Sequence, residues 1–338
     1  MTSSTAAYAR EIRPLLQNGV FLPARSRLLW LPFHLTVIAL STYAIATHSV
    51  SWWIVPLFSL CIGMGFAGIT FLAHETLHGS VVRQSRLRDV IGWIGFLPFV
   101  ISPVLWKAWH NRVHHGHTNH PELDPDAYPT LETYEGSRAV RVAMDLAPGN
   151  SRWTGIIPLL FGFTIHSAHV LLRARRWGYL TRAEHRRALL ETGLGIALWT
   201  ALAINVGWVS FLFVYLLPLL VANAIVMGFI LTNHSLSPMT AQNDPLLNSL
   251  SVTLPGVLEW LTLRFGYHVE HHIFPSMSSR HAPAVRALLR SRWPGRYQSM
   301  SLPRALLMLH RTPRVYKDHC TVVNPRTSRE CRTLTPTG

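Results

Sequence analysis

Apolar positions run uninterrupted by any Lys or Arg through two long stretches, residues 28–72 and 189–231, and Glu191 is the one acidic side chain in either. Each stretch is broken once by a short polar or glycine-containing link, Thr47 to Ser51 in the first and Asn205 to Gly207 in the second. The pattern predicts two helical hairpins, with apolar segments over residues 28–46, 52–72, 189–204 and 208–231. These lengths approach the roughly 20 residues with which a helix crosses a hydrocarbon core of about 30 Å. Two shorter apolar runs, residues 91–105 and 156–172, are interrupted by Pro98, Pro103 and Pro158. They are expected to be interfacial or re-entrant, six spans being the alternative. The expected fold class is an all-α membrane protein with four transmembrane helices in two hairpins. Residues 1–27 read as an N-terminal segment, 28–318 as the integral membrane domain, and 319–338 as a weakly ordered C-terminal tail; residues 1–9 also read as weakly ordered.

Composition sharpens the picture. Only 14% of the 338 residues are charged, against 49% hydrophobic, yet the formal charge is +15. An ordinary soluble domain carries about a quarter charged residues. All 31 Lys and Arg fall in three blocks, four in residues 1–27, fourteen in 73–188 and thirteen in 232–338. The links inside the two hairpins carry none, so the positive-inside bias places both termini and the middle segment in the cytosol. Topology accounts for the basic charge, and nucleic acid is not expected as a partner. The first long apolar run begins behind a polar lead and is long enough to span, so no cleavable signal peptide is expected. Three scattered cysteines, Cys61, Cys320 and Cys331, exclude a disulfide scaffold.

The chemistry lies in histidine. Eight of 19 histidines form three groups: His74 and His78; His110, His114 and His115; His268, His271 and His272. On an α-helix positions i and i+4 share a face, so His74/His78, His110/His114 and His268/His272 each offer two imidazoles to one place. Adjacent residues diverge by about 100°, so His114 and His115, or His271 and His272, do not suit one ion equally. Eight imidazoles also exceed what one four-coordinate metal uses, and a dinuclear site follows. Continuing the second span through His78, and the fourth through Ser235, carries both helices beyond the bilayer on the cytosolic side, which adds His234 as a ninth ligand candidate. Asn233 is a weaker, water-mediated candidate beside it. His34, His48, His117, His120, His166 and His169 are expected to be structural or solvated.

Alone, His74-Glu75-Thr76-Leu77-His78 fits the HExxH of a zinc protease, with Glu75 activating water. That reading leaves the other two groups unused. A cation transporter would place its site near the membrane midplane rather than at helix ends. Among metals that imidazole suits, a redox metal is needed to activate O₂ against an unactivated C–H bond.

The residues His74-Glu-Thr-Leu-His78-Gly-Ser, Trp109-His-Asn-Arg-Val-His-His-Gly-His-Thr-Asn119 with Asp124-Pro-Asp126 following, and Gly266-Tyr-His-Val-Glu-His-His-Ile-Phe-Pro-Ser276 resemble the three boxes of the membrane fatty acid desaturases. These are histidine-box di-iron oxidases related to membrane hydroxylases and carotenoid ketolases. The resemblance covers about residues 28–318. It implies four spans under a cytosolic helical cap that carries the boxes, and two iron ions held by His74, His78, His110, His114, His115, His268, His271 and His272. His234 matches the extra ligand found just after the fourth span. Stearoyl-CoA desaturase-like members place an Asn four residues before that histidine, where this chain has Ile230, so Asn233 departs from the pattern. The three-residue gap in the first box leans toward acyl-lipid enzymes. The implied reaction is O₂-dependent desaturation of an acyl lipid or acyl thioester, with hydroxylation or ketolation of a lipid or carotenoid as the alternative. Glu75 and Glu270 become candidates to accept hydrogen bonds from ligating imidazoles. No cytochrome b5 module is visible, so electrons are expected from an external donor, a ferredoxin or cytochrome b5, drawn to the Arg-rich face. Aromatic residues near the boxes read as packing.

Overall fold

The computed structural model describes residues 4–335. It is mostly helical, and four of its helices are long and apolar enough to cross a membrane: Arg25–Ala46, Val55–Leu77, Arg182–Val206 and Trp208–His234. The first two match the expected hairpin. The third begins earlier than its apolar pattern, because Thr181 and Glu184 form a capping box that starts the helix on a polar turn at Arg182. The run 91–105 is not one straight helix: helix Ser85–Phe96 ends in a short turn, and the chain bends by 99° before the next helix begins at Pro103. Pro103 lacks the N–H that would continue the first helix and suits the first position of the second, where Ser102 Oγ accepts from Val104 N.

The chain divides into two compact units, one of Met1–Leu22, His110–Leu159 and Met227–Gly338, the other of Pro23–Trp109 and Leu160–Val226. The second contains most of the apolar helices. Helix Trp30–Ala46 approaches Val55–Leu77 at Gly65 and Gly68, and any Cβ at Gly68 would overlap the His34 ring. Such small-residue faces let apolar helices touch backbone to side chain. Several polar groups of these helices find partners inside the unit. Ser59 Oγ donates to Phe213 O at 2.7 Å, Trp199 Nε1 to Leu97 O at 2.8 Å and Tyr215 Oη to Pro98 O at 3.0 Å. Glu191, the lone acid of the apolar stretches, accepts from Ser102 Oγ at 2.5 Å and pairs with Arg187 at 2.7 Å.

The other unit is built on short helices and two small sheets. Residues expected to be weakly ordered at the N-terminus form helix Thr5–Ile12, whose Tyr8 and Ile12 pack with Val269, Ile273 and Leu289. Strand β1 (Ser251–Thr253) pairs in parallel with β2 (Ser299–Ser301). Much of the C-terminal tail is also ordered, contrary to expectation, residues 336–338 lying outside the described residues: β3 (Val315–Tyr316), β4 (Thr321–Asn324) and β5 (Arg329–Arg332) form an antiparallel sheet. Its composition hides the reason. Val323 packs with Tyr134 and Val315, while Val322, on the opposite face, packs with Tyr316 and Met239, so four residues of β4 are covered on both sides.

Candidate metal centre

Seven of the nine predicted ligands lie in the unit built on the short helices, and they sort into two groups. His114, His234, His268 and His272 are all buried, with ligating nitrogens within 4.8 Å of one another. Nε2 of His268 is 2.6 Å from Nε2 of His234 and 3.1 Å from Nε2 of His272. In the second group Nε2 of His115 lies 3.2 Å from Nε2 of both His110 and His271. The groups are neighbours, with the His115 and His272 rings stacked 4.3 Å apart. Within the other unit His74 and His78 face each other at the end of helix Val55–Leu77, ring centroids 4.8 Å apart, with Trp106 against His74.

The second box is a π-helix over Lys107–His114 rather than an α-helix. His110 and His114 still meet as their spacing predicts, rings stacked 5.1 Å apart and nitrogens grouped with Asp126. A π-turn is wider, with i to i+5 bonding, so His115 also reaches His110, while His114 belongs to the His234 group as well. Adjacent histidines diverge as expected: His114 and His115, like His271 and His272, belong to different groups.

Outer contacts fix the rings of the four-histidine group. His234 Nδ1 donates to Asn248 O at 3.2 Å. Thr118 Oγ1 donates to His114 O at 2.8 Å and lies 3.2 Å from His272 Nδ1, whose proton it can accept. His114 Nδ1 faces both carboxylate oxygens of Asp124, at 3.1 and 3.2 Å. Asn119, in the left-handed region at φ 57 that Asn tolerates well, donates Nδ2 to His234 O at 3.1 Å and Pro238 O at 3.3 Å. Each Nδ1 contact leaves Nε2 directed inward, the arrangement in which imidazoles bind a metal.

The donor set fits metal ions. Burial, reinforced by the charge of His114, pushes His271 down to about 3, and burial with the surrounding imidazoles holds His272 well below 6.5. Both imidazoles are therefore unprotonated at neutral pH. Burial opposes charge on His114, but the Asp124 carboxylate, by charge and hydrogen bond, and then Asp126 raise it to about 9. That is the response of a basic imidazole offered a proton. Nitrogens packed this closely want a shared cation. Asn233, fully buried beside His234, has an amide without a hydrogen-bond partner among the described residues, which marks room for water or a ligand. A cavity of about 560 Å³ reaches His115 and His272 past Thr5, Gln242 and Asn243.

Glu270 does not serve the role expected of it. Its buried carboxylate accepts from Arg286 Nε at 3.0 Å, Tyr297 Oη at 2.6 Å and Ser251 Oγ at 2.6 Å, and none of these is an imidazole. Ser251 Oγ in turn accepts from His268 N and Val269 N, so Glu270 anchors the start of helix His268–Ile273. On that helix Glu270 points away from the histidine face. Glu75 is buried with the Arg27 guanidinium 3.8 Å away, an arrangement unlike a water-activating base. Sequence reasoning missed Thr118, Asn119, Asp124 and Asn248 as outer partners. Asp124-Pro-Asp126 was the available signal for Asp124. The other three act through turns and backbone groups that spacing does not reveal. Among the remaining histidines, His34 packs on Gly68, His117 Nδ1 lies 3.2 Å from Val113 O, and His120 Nδ1 accepts from Glu122 N and Leu123 N.

Four apolar helices and buried all-histidine groups able to hold metal define a class of membrane metalloenzyme. Residues 51–304 match the family model described as fatty acid desaturase, and the chain belongs to that family. It is 23% identical over 274 residues to the sn-1 oleoyl-lipid 12-desaturase of Arthrospira platensis, covering 78% of this chain and 76% of the relative. It is 24% identical over 289 residues to the chloroplastic omega-6 fatty acid desaturase of Spinacia oleracea, covering 82% of this chain but only 62% of that relative's length. A shorter match, 33% over 91 residues, or 27% of this chain and 25% of the relative, is to the dihydrorhizobitoxine desaturase of Bradyrhizobium elkanii. Family membership sets aside the zinc-protease reading.

Proposed function

We propose that the chain is an O₂-dependent di-iron desaturase that introduces a double bond into the acyl chain of an acyl lipid or acyl thioester. The observation that carries this is the gathering of His114, His234, His268 and His272 within 4.8 Å beside His110, His115 and His271. On the resemblance of the first box, His74 and His78 are proposed as further iron ligands, nine in all. When bound, the iron pair supplies reductive activation of O₂ for removal of two hydrogens from adjacent methylenes. The chain's own residues keep His271 and His272 neutral, hold His114 against Asp124, exclude water by burying the four-histidine group, and position the acyl chain.

The Lys- and Arg-free hairpin links support a multi-pass arrangement with both termini and the histidines on the cytosolic side. The Arthrospira platensis and Spinacia oleracea relatives are named for acyl substrates, which supports a lipid substrate here. We assign electron supply to an external acidic donor of ferredoxin or cytochrome b5 type; a relative of 28% identity over 123 residues, covering 36% of this chain and 34% of its own, is named as a ferredoxin enzyme, the sn-1 acyl-lipid omega-3 desaturase of Nostoc. A second reading, a small-molecule substrate of the dihydrorhizobitoxine kind, is favoured by the Bradyrhizobium elkanii match.

Expression in a host of simple lipid composition tests the proposal. A new unsaturated acyl species and about two irons per purified chain are the expected results. A hydroxylated or keto product assigns the chain to the related hydroxylases or ketolases. An unchanged lipid profile with iron bound selects the small-molecule reading.

A further inference from the structure

Of the four imidazoles in the buried group, His114 has an anion behind it. His234 is backed by the Asn248 carbonyl and His272 by the Thr118 hydroxyl, both neutral acceptors. Asp124 presents both oxygens to His114 Nδ1, and Oδ2 of Asp126 lies 3.4 Å from the same nitrogen. The Asp124 side chain is fully buried, and no Lys or Arg pairs with it among the described residues. Its remaining acceptor capacity is used by backbone: Oδ2 takes Asn119 N at 2.8 Å and Oδ1 takes Asp126 N at 3.0 Å. The carboxylate is therefore held rigidly by the loop it closes, with its charge aimed along the His114 ring toward Nε2.

A buried carboxylate without a cation is costly. Its nearest route to compensation runs through His114 to whatever sits among the four Nε2 atoms. Four neutral imidazoles leave the charge of a divalent or trivalent ion wholly uncompensated in a dry site. A carboxylate hydrogen-bonded to the far nitrogen of a ligating imidazole fixes the tautomer, fixes the ring, and strengthens the donor.

We propose that Asp124 is a positioning residue that makes His114 the dominant, charge-compensating donor of the four-histidine centre, so that the ion held there depends on Asp124 more than the ion of the neighbouring group does. The proposal rests on the di-metal reading above. Its chemistry sets a specific demand: loss of the charge at Asp124, with its shape kept, weakens one metal site and leaves the other.

The test is Asp124→Asn in the full-length, iron-loaded protein purified in detergent, beside wild type. Iron retention is measured by titration with a ferrous chelator, and the Mössbauer spectrum reads each iron's environment. The expected result is a 10- to 100-fold weaker hold on one of two irons, with one set of spectral lines altered and the other kept. Thermal unfolding of metal-free and loaded forms separates this from a purely structural role: D124N, which loses one backbone acceptor, should lower both Tm values and also narrow the gap between loaded and metal-free forms. Unchanged chelator resistance and spectrum, or equal loss of Tm in both forms, overturns the proposal. A wild-type protein that binds no iron overturns the di-metal reading itself, and the assignment of Asp124 with it.

Discussion

The Nδ1 of His234 donates to the backbone carbonyl of Asn248, 3.2 Å away, and this bond ties the end of the fourth apolar helix to the end of the short helix Pro245–Asn248. The carbonyl is held in place by its own side chain: Asn248 Nδ2 donates to Thr118 O at 3.0 Å and Asn243 Oδ1 at 3.0 Å. One asparagine thus connects the second box, through Thr118, to His234.

Asn248→Ala leaves the buried Thr118 carbonyl without that donor. Loss of a buried partner costs about 1–3 kcal/mol, and the backbone carbonyl that accepts from His234, though kept, loses the side-chain bonds that steady it. The expected outcome is a lower Tm and faster release of iron to a chelator, read on the same sample. A variant with wild-type iron retention would separate Asn248 from the site.

Glu270 and Arg286 form a buried pair, and Glu270→Gln removes the charge while keeping the shape. Arg286 is then a buried guanidinium beside a neutral amide, a change that costs about 3–5 kcal/mol. E270Q should unfold or express poorly. E270Q with Arg286→Met, which removes both charges, should recover a large part of the loss, as thermal unfolding of the double variant will report.

The elements carrying these effects differ in how far sequence revealed them. The four apolar helices were legible because Lys and Arg are absent from residues 28–72 and 189–231, and hydrocarbon imposes that pattern. The histidines were legible because imidazole is scarce at such spacing unless it ligates. The π-turn at Lys107–His114 was hidden, since a one-residue change in helical pitch leaves no mark on composition and depends on packing. The β3–β4–β5 sheet was hidden for a related reason: Val322 and Val323 find partners only after Tyr134, Met239 and Tyr316 have been assembled from distant positions.

The C-terminal sheet also acts near the site. Arg314, fully buried, donates Nη1 to Ser235 O at 2.7 Å and Nη2 to Leu309 O at 2.5 Å, and Tyr316 Oη donates to Ser237 O at 2.5 Å. Ser235 follows His234 directly. Arg314→Met leaves the Ser235 and Leu309 carbonyls without their charged donor, and hydrogen bonds to charged groups contribute about 1.5–3 kcal/mol. Tm should fall, and deletion of residues 312–338 should release iron more readily than deletion of residues 336–338 alone.

Gly68 and His34 test the packing of the first hairpin. A side chain at Gly68 meets the His34 ring, and overpacking a tight contact costs about 1–3 kcal/mol. Gly68→Val should destabilise the protein in detergent, and His34→Ala in the same chain should relieve it. Failure of the double variant to recover would place the clash elsewhere on helix Val55–Leu77.

His271 and His272 are adjacent in sequence yet belong to different groups, His271 with His115 at 3.2 Å and His272 with His268 at 3.1 Å. Each alanine variant should therefore lower iron content, but from different ions. His272→Ala removes a donor from the four-histidine centre, so it should alter the same Mössbauer lines as His234→Ala. His271→Ala should alter the lines that His110→Ala alters. Both should abolish desaturation while insertion into the membrane persists, because neither residue lies on an apolar helix long enough to span. Two neighbouring substitutions with identical spectra would mean that one ion, rather than two, sits between the groups, and the division of labour at the third box would have to be redrawn.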